Sequence, residues 1–163
     1  MRYFIDTEFI EDGRTIDLLS IGIVAENGRE LYMETPLART LIEHPERCDP
    51  WIRENVLPHL GWGGLGVASE IAEEVVAFCG DAPEFWAYYA DYDWVVFCQL
   101  FGRMIDLPKG FPMYCRDLKQ VADDRGVRLS EVVPQENEHH ALADARWNKA
   151  AWEYLSHPQE PRP

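Results

Sequence analysis

The sequence predicts an α/β fold, a mixed five-stranded sheet flanked by helices, and three observations carry that prediction. The first third of the chain alternates apolar runs with turn signals at strand spacing. From about residue 50 a helical period takes over. Beyond it, short apolar runs alternate with amphipathic helices, giving the order β-β-β-α-β-α-β-α-α, which places helices on the faces of one sheet.

Each element has its own local reason. Arg2 to Glu8 is a short, largely apolar strand, followed by the turn residues Glu11-Asp12-Gly13-Arg14. Thr15 to Ala25 carries Ile16, Leu18, Leu19, Ile21, Ile23 and Val24 and reads as a second strand, mostly buried. Asn27-Gly28 is a strong hairpin signal, so Glu30 to Thr35 returns as a third. Asp49-Pro50 pairs a capping residue with proline at the first helical position. Gly61-Trp62-Gly63-Gly64-Leu65-Gly66 is not followed by Gly-Lys-Ser/Thr, so it reads as a connector and not a phosphate-binding loop. Ser69 is the expected cap of a helix through Cys79, with Ile71, Val75 and Phe78 on one face and Gly80 as its stop. Glu84 to Tyr89 is a fourth strand and Asp91 to Phe101 a helix. Met113-Tyr114-Cys115 is the fifth strand, Arg116 to Arg125 a helix, and Ala141 to Leu155 the last helix. One domain over residues 1–156 is expected, with 157–163, rich in proline, as a disordered tail.

Composition narrows the function. The chain has 163 residues, 47% of them hydrophobic, enough to bury roughly 70% of the unfolded surface without a staple. Fifteen Lys+Arg against 29 Asp+Glu give a net charge of −14, which argues against broad binding to duplex nucleic acid. It leaves room for clustered carboxylates that bind hard cations. The cysteines Cys48, Cys79, Cys98 and Cys115 have no metal or disulfide spacing and read as buried reduced thiols. No window reaches the ~18 apolar residues of a membrane span. Met1 leads straight into a strand and not into a basic leader, so the cytoplasm is the expected compartment.

Three places combine acids with a strand end or helix start. Asp6 and Glu8 lie two apart in a strand, so their carboxylates share one side of the sheet. Like charges that close repel unless a cation sits between them. Asp91 and Asp93 follow the fourth strand; if it runs parallel to the first, one of them caps the helix and the other joins Asp6 and Glu8. In His139-His140-Ala141-Leu142-Ala143-Asp144, a histidine beside a carboxylate suggests a proton-transfer group near a cation ligand. Helical spacing pairs His140 with Asp144, whereas His139 shares the site only if it precedes the first turn. Four carboxylates carry −4 and two Mg²⁺ carry +4, and two such ions about 3.5–4 Å apart suit in-line attack on a phosphodiester.

Taken together, Phe4-Ile5-Asp6-Thr7-Glu8-Phe9, the acid after the fourth strand and His139-x4-Asp144 resemble the motifs of the DEDDh 3′–5′ exonucleases, which have a ribonuclease H-like fold. The opening Met1 to Gly13, Ser20 to Ala25 and Cys98-Gln99-Leu100 are similar to the bacterial polyadenylate-specific exoribonuclease AS family. The resemblance implies cation ligands at Asp6, Glu8, Asp93 and Asp144, two Mg²⁺ or Mn²⁺ ions, and His139 as general base in an H-x-A-x-x-D pattern. It also implies removal of nucleotides from single-stranded RNA 3′ ends, a preference for adenylate, and a homodimer to which exposed aromatics such as Trp51 and Trp62 would contribute. Ala90-Asp91 departs from many relatives and leaves Asp91 beside Asp93 as a second acid. Phe9 is a candidate to stack on the terminal base, and Arg116 either meets phosphate or is an ordinary surface residue. The rival readings are a DNA exonuclease of the same fold, an inactive nucleic-acid-binding relative, and a phosphoesterase of small nucleotides.

Overall fold

The computed structural model describes residues 1–157, so the part of the expected tail at 158–163 lies outside the described residues. β1 (Arg2–Glu11), β2 (Ile16–Ala25) and β3 (Glu30–Glu34) form the antiparallel meander. Gly28, at φ 87°, closes its second hairpin and donates its N–H to the Ala25 carbonyl at 2.9 Å. β5 (Glu84–Ala87) runs parallel to β1, and β6 (Arg116–Asp117) parallel to β5.

Among the described residues the sheet has six strands in the order β4-β3-β2-β1-β5-β6, one more than expected. The extra strand, β4 (Gly64–Leu65), lies inside the glycine-rich stretch read as a connector and pairs parallel with β3. Buried Glu34 explains the order there, because its carboxylate accepts the N–H groups of Gly61, Trp62 and Gly63 at 2.8–3.0 Å. The fifth expected strand also moves. Met113 and Tyr114 form a bend, and pairing begins at Arg116.

The helices are α1 (Pro36–Glu43), α2 (Pro50–Asn55), α3 (Ala68–Cys79), α4 (Ala90–Gln99), α5 (Leu118–Asp124), α6 (Leu129–Val132) and α7 (Ala141–Ser156). α1 and α6 were not expected, although Thr35-Pro36 carries the same cap-plus-proline signal that marks α2. Ser69 does not cap α3. The cap is Val67, whose N–H is taken by Glu70 at 2.9 Å.

Alternation along β1 divides the core into two layers. Tyr3 and Ile5 face α3 and α4, packing with Ile71, Val75, Phe85 and Phe97. Phe4 faces the other way and meets Trp152 of α7 at 5.8 Å between ring centroids. On that second side α7 packs against α5 and α6 through Trp147, Ala151, Leu118 and Leu129. α7 comes so close to β2 that a Cβ on Gly22 would lie 2.3 Å from the Ala141 carbonyl oxygen. Asn148, 1% exposed, donates its side-chain N–H to the Ile5 carbonyl at 2.8 Å and pins the same helix to β1. Cys79 and Cys98 are buried, but Cys48 and Cys115 are only half-buried, contrary to expectation; all four are free.

Candidate active site

The carboxylates of Asp6 and Glu8 emerge on the α7 side of β1, the side of Phe4, as period-2 geometry requires. Asp6 lies directly opposite Gly22 on β2, and Glu8 opposite Ser20. The register slips between Glu8 and Phe9 because Leu19 is an extra, unpaired residue on β2, a bulge in β2 beside the acidic pair. Phe9 is half-buried, with its ring 5.7 Å from that of exposed Tyr92.

Asp93 reaches the same region from α4. β5 pairs with β1 only from Arg2 to Phe4, so the β1 edge is open beyond that point. Asp93 Oδ1 fills the gap, accepting the Thr7 N–H at 2.8 Å and the Thr7 hydroxyl at 2.6 Å. Asp93 is buried and Asp91 is exposed. Neither caps α4, which corrects the expectation that one would. The cap position is Tyr89 in the left-handed conformation, and Asp117 from β6 accepts the N–H groups of Tyr89 and Ala90 at 3.3 and 3.4 Å.

Asp144 sits in the first turn of α7. Its oxygens are held by Gln135 Nε2 and by the His139 backbone N–H, both at 2.9 Å. His139 lies before the helix at φ 67°, its ring edge-on to Trp51 at 4.8 Å. The His140 ring is committed elsewhere, its Nδ1 accepting the N–H groups of Leu142 and Ala143 as the N-cap of α7 while the ring stacks on Tyr32 at 4.7 Å. Thus the His139 backbone, and not the His140 ring, contacts Asp144. Arg116 lies beside Glu84 at 3.6 Å and over the Trp86 ring.

One carboxylate oxygen each from Asp6, Glu8 and Asp144 lie within 4.8 Å of one another. A family model described as the 3′-5′ exoribonuclease Rv2179c-like domain matches residues 52–156, a span that holds Asp93, His139 and Asp144. A protein of Mycobacterium tuberculosis strain H37Rv, 3′-5′ exoribonuclease Rv2179c, is 44% identical over 153 residues, covering 90% of this chain and 88% of that one. The chain belongs to the Rv2179c-like 3′–5′ exoribonuclease family. The M. tuberculosis strain CDC 1551 protein, 3′-5′ exoribonuclease MT2234.1, matches at the same identity and coverage. Among solved structures, the zinc-bound Escherichia coli exonuclease I complex with single-stranded DNA superposes with a TM-score of 0.61 at 13% identity, over 95% of this chain and 40% of that one. The exonuclease I complex with a dT13 oligonucleotide gives 0.57 at 11% identity, over 95% and 40%. The chain thus spans about 40% of exonuclease I, and at this identity the likeness is one of fold. That fold is the ribonuclease H-like one expected from the sequence.

In this exoribonuclease domain the acids crowd each other out of their ordinary ionisation range. Burial first, then the charges of Asp93, Glu8 and Asp144, raise the Asp6 carboxyl well above the usual carboxylate value. Burial, followed by Asp144 and Asp93, pushes Glu8 up to about 8. Burial also lifts Asp93 to about 7 against the opposing Thr7 hydrogen bonds. Asp144 is raised by burial as well, tempered by Gln135 and the His139 N–H. An all-oxygen donor set that cannot ionise fully by itself fits a hard divalent cation.

A pH dependence follows. Without cations, the folded protein keeps protons on Glu8 to about 8 and on Asp93 to about 7, whereas their unperturbed values are 4.5 and 3.8. The folded state then binds more protons than the unfolded chain across that window, so stability falls as pH rises through it. The melting temperature of chelator-treated protein is expected to drop between pH 5 and 8. Added Mn²⁺ is expected to restore it, more at pH 8 than at pH 5. A melting temperature that rises over this window in chelator would contradict the arrangement.

Proposed function

We propose that the protein is a divalent-cation-dependent 3′–5′ exoribonuclease that removes nucleotides one at a time from single-stranded RNA. The observation that carries this reading is the convergence of Asp6, Glu8 and Asp144 within 4.8 Å, in a chain of an exoribonuclease family. Asp6, Glu8, Asp93 and Asp144 are the ligands for two Mg²⁺ or Mn²⁺ ions. Such ions, when bound, acidify a water and offset charge on the leaving 3′-oxygen. His139 receives the proton of the attacking water. Its backbone N–H steadies Asp144, and Trp51 borders its ring, so base and ligand move as one unit. His140 is unsuited to the role because its Nδ1 caps α7 and burial lowers its basicity.

Phe9, paired with exposed Tyr92, offers an aromatic surface to the terminal base. Preference for adenylate, action as a homodimer and a cytoplasmic location belong to the same reading and rest on the family resemblance. Trp51 and Trp62, 50% and 84% exposed, are among the aromatics available to a second copy. Among the described residues no helix is long and apolar enough to cross a membrane.

The test is a time course on 5′-labelled, A-tailed RNA with Mg²⁺ or Mn²⁺, beside a matched DNA strand. A ladder shortening from the 3′ end of the RNA is expected. His139→Ala is expected to slow it by about 10²–10⁴-fold, the usual contribution of a general base. No shortening with either ion would overturn the reading. Equal degradation of the DNA strand would replace it with the DNA exonuclease.

A further inference from the structure

Two buried groups face each other across β1 and β2, and each lacks what the other has. Glu8 and Ser20 are directly opposed in the ladder, so their side chains stand on the same face. Ser20 is fully buried, and its hydroxyl makes no hydrogen bond of good geometry. A native buried polar atom left this way calls for an explanation. Glu8 is 8% exposed, and among the described residues no donor reaches its carboxylate. The other acids are better served, Asp93 by Thr7 and Asp144 by Gln135 and His139. Asp6 lies opposite Gly22, which has no side chain to offer.

The row continues onto β3. Ser20 pairs there with Glu34, a fully buried carboxylate already supplied by the Gly61, Trp62 and Gly63 N–H groups. The Tyr32 hydroxyl spends its proton on Glu34 Oε1 at 3.1 Å. Burial and Glu34 raise the Tyr32 phenol, a contact from the Ser20 hydroxyl opposes that shift and the Glu8 charge adds to it, so Tyr32, Ser20 and Glu8 share one neighbourhood. Neither Glu34 nor the Tyr32 proton needs Ser20. The acceptors left to the Ser20 O–H are the neutral Tyr32 oxygen and the Glu8 carboxylate, and a carboxylate accepts the stronger bond.

We propose that Ser20 is the positioning residue of Glu8, its hydroxyl donating to the carboxylate and fixing the oxygen that joins the cation site. The proposal rests on reading Asp6, Glu8 and Asp144 as that site. Donors behind a ligand orient it, and losing one commonly weakens cation affinity by about 10–100-fold.

The test is calorimetric titration of the full chain with Mn²⁺, together with thermal melting in chelator. Ser20→Ala is expected to weaken Mn²⁺ binding by about 10-fold or more. Its melting temperature in chelator is expected to fall by no more than about 2–4 °C, the loss of a single hydrogen bond. Tyr32→Phe leaves Ser20 with Glu8 alone and is expected to keep Mn²⁺ affinity close to wild type. Unchanged affinity in Ser20→Ala overturns the proposal, as does a larger loss of stability in chelator, which marks the hydroxyl as structural. Equal weakening in Tyr32→Phe also overturns it, because Ser20 would then act through Tyr32. Wild-type protein that binds no Mn²⁺ sinks the cation site and this proposal together. Mn²⁺ binding without RNA degradation sinks only the nuclease reading.

Discussion

Asp6→Asn is expected to abolish RNA degradation and, in the same protein, to raise stability when cations are removed. The two effects have one cause. Asp6 stands among Glu8, Asp93 and Asp144, and burial together with their charges already drives its carboxyl toward the protonated form. An amide of the same shape removes that repulsion. The gain expected in chelator is on the order of 1–2 kcal/mol, or roughly 2–8 °C in melting temperature for a chain of this size. With cations present the sign reverses, because the amide is a poor ligand and the neighbouring acids lose part of their counter-charge. Loss of several kcal/mol of transition-state stabilisation corresponds to about 10³-fold or more in rate. Melting curves with chelator and with Mn²⁺, beside the RNA time course, check both halves. A variant destabilised in chelator would mean that Asp6 is held by partners and not opposed by them.

Gly22→Ala is the second large effect, and its sign is informative. In an ordinary strand, glycine to alanine at an ordinary backbone angle stabilises by about 0.4–1 kcal/mol. Here the new Cβ would lie 2.3 Å from Ala141 O and 2.5 Å from Leu142 Cα, both backbone atoms at the start of α7. Neither can swing aside as a side-chain tip would, so the helix itself has to move. The expected cost is about 3 kcal/mol or more, read from the urea midpoint. The same movement shifts Asp144 and His139 relative to Asp6, and misplacement near 1 Å costs about 10²-fold in rate. Stabilisation in this variant would show that α7 does not approach β2 so closely.

These two positions mark the boundary of what the sequence makes legible. Asp6 and Glu8 are readable because strand alternation is local, and Asp144 because it opens a periodic helix. The meander is readable from Asn27-Gly28 and the apolar runs around it. Gly22, by contrast, looks like any strand glycine until α7 is laid upon it. Gln135 carries no local signal, being placed by the loop that leads to His139. Glu34 looks like a solvated strand acid, and only the folded loop shows three N–H groups converging on it. That loop in turn makes β4, so one unforeseen carboxylate accounts for the missed strand. Choosing between the two histidines also requires tertiary knowledge, because either could be the helix cap. Asp117, which serves the start of α4 from a neighbouring strand, explains why neither Asp91 nor Asp93 has to.

The docking of α7 onto β1 also bears on how the protein comes into being on a ribosome. Asn148 and the Ile5 carbonyl it grips are 143 residues apart in the chain. β1, with Asp6 and Glu8, is made long before α7, which packs over Phe4 and the Ile5 carbonyl. Asp144 and His139, the last proposed ligand and the proposed base, are made only as α7 begins, after Asp93. A half-made chain therefore holds Asp6 and Glu8 without Asp93, Asp144 or His139, and on the proposed reading it lacks most of its site. On that reading, completion of the site and the docking of α7 on the sheet are a single, late event.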